Sequence, residues 1–294
     1  MDELDLAGAL RSAAAHLAEA GVPSPRVDAE LLAAHLLRLS PGELRAAALR
    51  GVEVPEGFWE LVTERARRIP LQHLTGKASF RHLELAVGPG VFVPRPETEG
   101  VAQLAIDVAA RLTHPIIVDL GTGSGALAAA LASEVRDAKV YAVELSELAH
   151  AWAARNLAEH SVELRLGDLR TAFPELNGRV DVVVSNPPYI PAEAVPHEPE
   201  VAEHDPEIAL YGGGADGLEL PAAALATAAR LLKPGGYFVM EHAEVQAASI
   251  ERLFQEAGFR SVRGHRDLAD KDRATSGILA AESELEAQDE RMAQ

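Results

Sequence analysis

The spacing of apolar residues changes character twice along this chain. Through residue 75 it is helical: Leu6, Leu10 and Leu17 mark one face, and Leu31, Leu32, Leu36 and Leu37 mark another. Breaks at 21–25 and 40–42, with further helical stretches near 41–50 and 55–68, make residues 1–75 a small helical bundle. Between 78 and 93 the period shortens. Leu83, Leu85 and Val87 alternate with polar or small residues, Gly88-Pro89-Gly90 is a turn, and Val91 and Val93 resume the pattern. This predicts a β-hairpin within a linker over 76–96. Pro94-Arg95-Pro96 ends the linker, and Glu97-Thr98-Glu99 opens a helix over about 97–111.

From residue 116 apolar runs of strand length alternate with helical stretches, the mark of an α/β domain with a parallel sheet covered on both faces. Strands are expected at 116–120, 140–143, 162–166, 180–185 and 237–241, with two more near 260–264 and 275–280. Helices fall near 125–134, 147–160, 217–232 and 244–257. The stretch 190–216 is rich in Pro, Gly and acids and reads as a long functional loop. This second domain spans 97–281, and the polar, acidic tail 282–294 is expected to be disordered.

Composition narrows the chemistry. The 294 residues suit one large and one small domain, and zero cysteines exclude disulfides, thiol catalysis and thiolate metal sites. No apolar run approaches the roughly 18 residues of a membrane span, and the acidic start (Asp2, Glu3, Asp5) lacks a signal peptide's basic end, so a cytoplasmic protein is expected. A net charge of −18 repels polyanions and favours a protein or small-molecule substrate over a nucleic acid. The strongest basic patch, Arg65, Arg67 and Arg68 beside Glu60 and Glu64, reads as a solvated helix face.

Two segments carry candidate chemistry. Asp119-Leu120-Gly121-Thr122-Gly123-Ser124-Gly125 is a strand end, a glycine-rich turn and a helix start, which lets backbone N–H groups approach a ligand. Glu144 ends the next strand, where an acid is placed to accept from both ribose hydroxyls of a nucleotide-like cofactor. Asp168, with Leu169 beside it, follows the third strand and suits an adenine amino group. A dinucleotide site satisfies the loose Gly121-x-Gly123-x-x-Ala126 pattern, and a turn that binds nothing remains open. An S-adenosylmethionine site uses the same loop and acid, with Asp119 suited to the methionine amine. A P-loop is excluded because no Gly-Lys-Ser/Thr follows.

The second segment is Asn186-Pro187-Pro188-Tyr189, at the carboxyl end of an apolar strand where open sheets bind ligands. An amide oxygen, a carbonyl next to N–H-less prolines and an aromatic face suit a planar NH2 group, whose two hydrogens need two acceptors. The competing reading is a strand end closed by two prolines and a packing tyrosine. Asn186, Pro187 and Tyr189 are the candidate catalytic residues. Substrate contacts are expected from Asn186, Pro187, Pro188 and Tyr189, and Asn186 also borders the cofactor.

In this order Asp119 to Gly125, Glu144, Asp168 and Asn186-Pro187-Pro188-Tyr189 resemble class I S-adenosylmethionine-dependent N-methyltransferases. Further stretches are similar to the HemK/PrmC family: Pro70-Leu71-Gln72-His73-Leu74-Thr75-Gly76, Phe80, and Val93-Pro94-Arg95-Pro96-Glu97-Thr98-Glu99. So are Glu207-Ile208-Ala209-Leu210 with Gly212 to Gly214, Asp216-Gly217-Leu218, Leu232-Lys233-Pro234-Gly235-Gly236, and Asp267-Leu268-Ala269 with Arg273. The likeness runs from the helical domain to about residue 280. It implies a Rossmann-like, mostly parallel seven-stranded sheet behind an N-terminal helical substrate-recognition domain. It also implies S-adenosylmethionine as cofactor and N5-methylation of the glutamine in the Gly-Gly-Gln motif of bacterial class I release factors. A monomer is expected, and the acidic charge predicts no stable complex with nucleic acid. The alternative within the same chemistry is a methyltransferase of exocyclic amino groups, adenine N6 or guanine N2.

The chain departs from that resemblance at Glu241-His242-Ala243-Glu244-Val245-Gln246, where the family usually has an Ile-Gly pair after Glu. The change is expected to alter packing near the fifth strand and not chemistry, with His242 packing there. His197 and His204, among Glu198, Glu200, Glu203 and Asp205, read as an exposed acidic loop in preference to a metal site. Arg95 is expected in a linker salt bridge, Glu97 as a helix N-terminal acid, and Trp59 and Trp152 as packing residues. By the resemblance, the Arg95–Glu97 segment covers the cofactor.

Overall fold

The computed structural model describes residues 5–281; the tail at 282–294 lies outside the described residues. Two units emerge: one comprises the chain up to Lys77 with Val87–Pro89 and Pro196–His204, the other Ala78–Ala86, Gly90–Val195 and the chain from Asp205 onward.

The first unit contains helices α1 (Leu6–Glu19), α2 (Pro25–Leu37), α3 (Pro41–Leu49), α4 (Phe58–Ala66) and α5 (Leu71–Thr75). Local chemistry sets their starts. Asp5 accepts from Gly8 N–H at 2.7 Å, and Ser40 and Glu43 form a reciprocal capping box ahead of Pro41. Leu6, Leu17, Leu32, Phe58 and Val62 form its core. The expectation of a solvated basic face fails for two of the three arginines. Arg65 is 5% exposed; its Nε donates to Asp28 at 2.7 Å and its Nη2 to Glu200 at 2.7 Å. Arg68 binds the same Glu200 through Nε at 2.8 Å, and only Arg67 pairs locally, with Glu64. The partner Glu200 lies 135 positions from Arg65, so no local pattern announces it. Glu200 belongs to α9 (Pro199–His204), which, with a 3-10 turn at Glu207–Ala209, gives structure to the stretch expected to be an irregular loop.

The second unit holds a hairpin of β1 (Lys77–Phe80) and β2 (Leu83–Ala86) and a seven-stranded sheet. The hairpin turn is Arg81-His82, not Gly88-Pro89-Gly90, and Val91 and Val93 are buried outside any strand. Distant partners decide this: Arg81, at φ 54°, donates its N–H to Glu99 and its Nη2 to Glu134 and Gln103, each at 2.8 Å.

The sheet runs β5 (Val162–Leu166), β4 (Lys139–Glu144), β3 (Ile116–Leu120), β6 (Val180–Ser185), β7 (Leu232–Glu241), β9 (Asp272–Leu279), β8 (Phe259–Arg266). The first five are parallel, and β9 runs antiparallel to both β7 and β8. Strand β6 is buried on both faces, which is why it reads as a continuous apolar run. Val182 and Val184 pack with α6 (Thr98–Ala109) and α7 (Ala126–Glu134) in one cluster. Val180 and Val183 pack with α10 (Glu219–Leu231) and α11 (Ala247–Glu256) in the other. The order in which strands are added to the sheet reverses between the parallel β3 and β6, making their carboxyl ends the ligand-binding crevice of such folds. No helix among the described residues is long and apolar enough to cross a membrane.

Candidate active site

Three glycines shape the turn after β3: Gly121, Gly123 and Gly125 have φ of 76°, 57° and 86°. Such angles favour glycine, and a Cβ built on Gly121 or Gly123 would meet nothing within 4 Å. The space over this turn is therefore open. Gly121 and Thr122 both donate to Val143 O at 3.0 Å, which pins the turn to β4. At Gly125 a Cβ would come within 3.1 Å of Leu157, so close packing fixes the third glycine. Asn156 supports the loop from α8 (Glu147–Asn156), donating to Ser124 O at 2.8 Å and Ala86 O at 2.9 Å.

The acids expected to flank this loop do so. Glu144 accepts from Gly123 N–H through Oε2 and from Ser146 N–H through Oε1, both at 2.8 Å. This holds its carboxylate beside the turn with further lone pairs to offer. Burial pushes its pKa up, against those backbone bonds. Asp119 is wholly buried, accepts from Thr122 Oγ1 at 2.5 Å, and keeps Oδ1 without a hydrogen-bond partner. Burial raises it to about 7. A buried acid one oxygen short of partners is attractive to a cationic amine, so loop, Glu144 and Asp119 together fit S-adenosylmethionine.

Asp168 follows β5, where Gly167 N–H donates to Glu144 O at 2.8 Å. Its carboxylate accepts from Arg170 N–H at 2.9 Å and pairs with the Arg170 guanidinium at 3.0 Å. Leu169 turns its side chain into the core, leaving only its backbone for a ligand. Sequence reasoning missed two apolar neighbours of the acid: Leu145, 53% exposed after Glu144, and Leu166, 50% exposed and paired with Glu144 across the strands.

Asn186-Pro187-Pro188-Tyr189 leaves the end of β6 in the crevice. Ser185 Oγ donates to Leu120 O at 2.7 Å, tying β6 to the strand that feeds the glycine turn. Asn186 Nδ2 donates to Thr98 Oγ1 at 3.2 Å, and Thr98 Oγ1 donates to Glu241 Oε2 at 2.7 Å. Tyr189 Oη donates to Glu241 Oε1 at 3.3 Å. No group among the described residues donates to Asn186 Oδ1 or to Pro187 O. The Tyr189 pKa is raised, by burial first and the Glu241 charge second. Glu241 is 1% exposed, and burial lifts it to about 7 against the Thr98 bond and the Arg273 charge.

The stretch expected to affect packing alone thus touches the site at both ends. Besides Glu241, Gln246 donates through Nε2 to Tyr189 O and Asp216 O, both at 2.8 Å. Thr98 and Gln246 were likewise missed. The available signal for Thr98 was its phase: α6 buries Thr98, Val101, Ala102, Ala105 and Ala109, and the polar member of that stripe sits at the strand ends. His242 is buried beside the fifth strand, with Nε2 2.9 Å from Thr275 Oγ1. Arg95 does form a salt bridge, at 2.8 Å to Asp205. Among the described residues no group of three or more His, Asp or Glu side chains is placed to hold a metal.

Six parallel strands, an antiparallel strand inserted between β7 and the edge strand β8, a glycine turn at the switch point and an acid after the second strand define the class I S-adenosylmethionine-dependent methyltransferases. Comparison with known proteins narrows the class. Residues 8–76 match the PrmC N-terminal domain and residues 82–201 the methyltransferase small domain. The chain is 52% identical over 261 residues to the release factor glutamine methyltransferase of Streptomyces coelicolor, covering 87% of this chain and 92% of that protein. It is 47% identical over 283 residues to the enzyme of the same name from Mycobacterium tuberculosis, covering 94% and 92%. It is also 44% identical over 260 residues to the 4-amino-L-phenylalanine/4-methylamino-L-phenylalanine methyltransferase of Streptomyces pristinaespiralis, covering 86% and 88%. The chain belongs to the release factor glutamine methyltransferase family.

Proposed function

We propose that this chain transfers a methyl group from S-adenosylmethionine to N5 of the glutamine in the Gly-Gly-Gln motif of class I release factors, in the cytoplasm where translation occurs. One observation supports it above all: Asn186 is held through its NH2 group, which leaves Oδ1, together with Pro187 O, to accept from a planar NH2 group. The cofactor supplies an already electrophilic methyl, so the residues here need only position and polarise. Asn186 Oδ1 and Pro187 O each take one N–H of the substrate amide, which aims the nitrogen lone pair across the crevice and opposes the positive charge that grows on it. Once nitrogen is alkylated its extra proton is acidic and passes to water, so no dedicated base is assigned. Glu144 would accept from the cofactor's ribose hydroxyls, Asp119 would meet its amine, and Leu145 and Leu166 would offer apolar surface to its base. The helical unit grips release factor away from the glutamine.

Removing one preorganised partner of a reacting group costs about 3 kcal/mol, roughly 10²-fold in rate. Asn186→Ala is accordingly expected to lose at least that much kcat while cofactor affinity by calorimetry stays within a few-fold. A fully active variant would sink the assignment.

The relative that acts on 4-amino-L-phenylalanine carries a second reading, since an arylamine NH2 is also planar and conjugated. A nucleobase amino group has the same chemistry, but the net charge of −18 opposes polyanion binding. Incubation with labelled S-adenosylmethionine and, separately, release factors, 4-amino-L-phenylalanine and nucleic acid decides among them. Label on the Gly-Gly-Gln peptide by mass mapping is the expected result; label only on the amino acid or the nucleic acid overturns the proposal.

A further inference from the structure

The amide of an asparagine can be turned by 180° with almost no change in shape, yet only one of its two orientations can accept from a substrate NH2. Something must choose. Asn186 faces Thr98 Oγ1 at 3.2 Å, and a hydroxyl alone chooses nothing, because it can either donate or accept. The choice is made one step further on. Thr98 Oγ1 lies 2.7 Å from Glu241 Oε2, and Tyr189 Oη lies 3.3 Å from the other oxygen of the same carboxylate. An ionised carboxylate only accepts, so each hydroxyl must give its single proton to Glu241. With its proton committed, Thr98 can offer Asn186 only a lone pair. Asn186 therefore turns its NH2 toward Thr98 and its oxygen toward the crevice.

We infer that Thr98 and Glu241 are positioning residues that set the orientation of the Asn186 amide, with Glu241 fixing the direction of the hydrogen-bond chain. Their placement follows from the fold. Thr98 heads the buried stripe of α6, and Glu241 ends β7, whose Met240 pairs with Ser185, the residue before Asn186. The chain spans three elements and lies within one unit. It also links Tyr189 to Asn186 through a shared acceptor, so both ends of the tetrapeptide answer to one carboxylate. Desolvation and the Glu97 charge raise this carboxyl to about 7 against the two hydrogen bonds and the Arg273 charge, so the ionised form that this role needs is held above that pH, and the kinetics below are read at pH 8.

The inference rests on the assignment of Asn186 as the acceptor for a substrate NH2, and its test separates the two. Thr98→Val keeps the shape and removes the hydroxyl, Thr98→Ser restores it, and Glu241→Gln puts an NH2 where the chain needs an acceptor. Thr98→Val and Glu241→Gln are expected to lower kcat on release factor by 10-fold to 100-fold, with KM and cofactor Kd within about 2-fold. Thr98→Ser keeps kcat within about 3-fold of wild type. A purely structural role would lower thermal stability along with activity and would not be rescued by Ser, so melting temperature is read beside the kinetics. If Asn186→Ala is inactive but Thr98→Val and Glu241→Gln keep wild-type kcat, the inference falls and the function stands. If wild type leaves release factor unmodified, the function falls. The inference is then decided by NMR of the Asn186 side-chain NH2 in the cofactor-bound enzyme. A contact to the Thr98 methyl that weakens in Glu241→Gln supports it, and one that is unchanged overturns it.

Discussion

At the scale of single residues, the groups legible in the sequence are those whose role depends on near neighbours. The glycines after Asp119 bend a turn beside their own strand, and Glu144 meets them because consecutive parallel strands lie side by side. Glu144 also yields a sharp expectation. It is held by Gly123 and Ser146 N–H groups and faces open space over the turn, so Glu144→Ala should raise the cofactor dissociation constant by about 10-fold or more, the loss of two charge-assisted hydrogen bonds. Calorimetry measures it directly, and an unchanged constant removes Glu144 from the site. The residues that sequence reasoning missed are joined over long separations. Thr98 meets Asn186 across 88 positions and Glu241 across 143. No period or motif encodes such a meeting; the sheet order does. Arg65 misled for the same reason, since its buried partner Glu200 stands 135 positions away.

Among the elements, strand positions were legible because buried parallel strands are apolar throughout, whereas the hairpin turn was not. Arg81-His82 lacks turn residues and owes its place to Glu99, Gln103 and Glu134. Composition alone predicts a loop over 190–216, yet the stretch is tied back on itself. Ile190 N–H donates to Leu210 O at 2.8 Å and Gly212 N–H donates to Ile190 O at 3.0 Å. Gly212 within it and Gly217 just after it are there for close approach. A Cβ on Gly212 would lie 2.0 Å from Gly217 O, and one on Gly217, at φ 74°, would lie 2.3 Å from Tyr189 O. Backbone cannot yield to such contacts as a flexible side chain can. Gly217→Ala should therefore displace Tyr189 and lower kcat by about 10-fold or more, for a stability loss of roughly 1–3 kcal/mol from the strained φ. Enzyme assay and urea unfolding together check this, and wild-type kcat in a folded Gly217→Ala protein would show that the loop does not hold the tetrapeptide.

For the molecule as a whole, the question is how so acidic a chain stores acids in its interior. Burial raises Asp119 and Glu241 to about 7, whereas unfolded carboxyls titrate near 4. Between those values the folded state holds protons that the unfolded state has released, so each group's contribution to stability falls as pH rises, at roughly 1 kcal/mol per pH unit, and levels off above 7. Glu200 acts in the opposite sense. Burial would raise it, but the Arg68 and Arg65 guanidinium bonds outweigh that and hold it at about 2, so its contribution is present above the usual carboxylate range and is lost as pH falls below it. His242 and His265, lowered by burial, add stability as pH rises toward their ordinary value. The raw profile mixes these trends, but a difference between two proteins isolates one group. Asp119→Asn removes a single raised acid and leaves Glu200 and both histidines common to the pair. The stability of Asp119→Asn relative to wild type, from urea unfolding at pH 5, 6, 7 and 8, should therefore shift toward the variant up to pH 7 and then flatten. A difference that does not change with pH would mean that Asp119 is ionised in the folded protein throughout, and that the glycine turn already meets its charge.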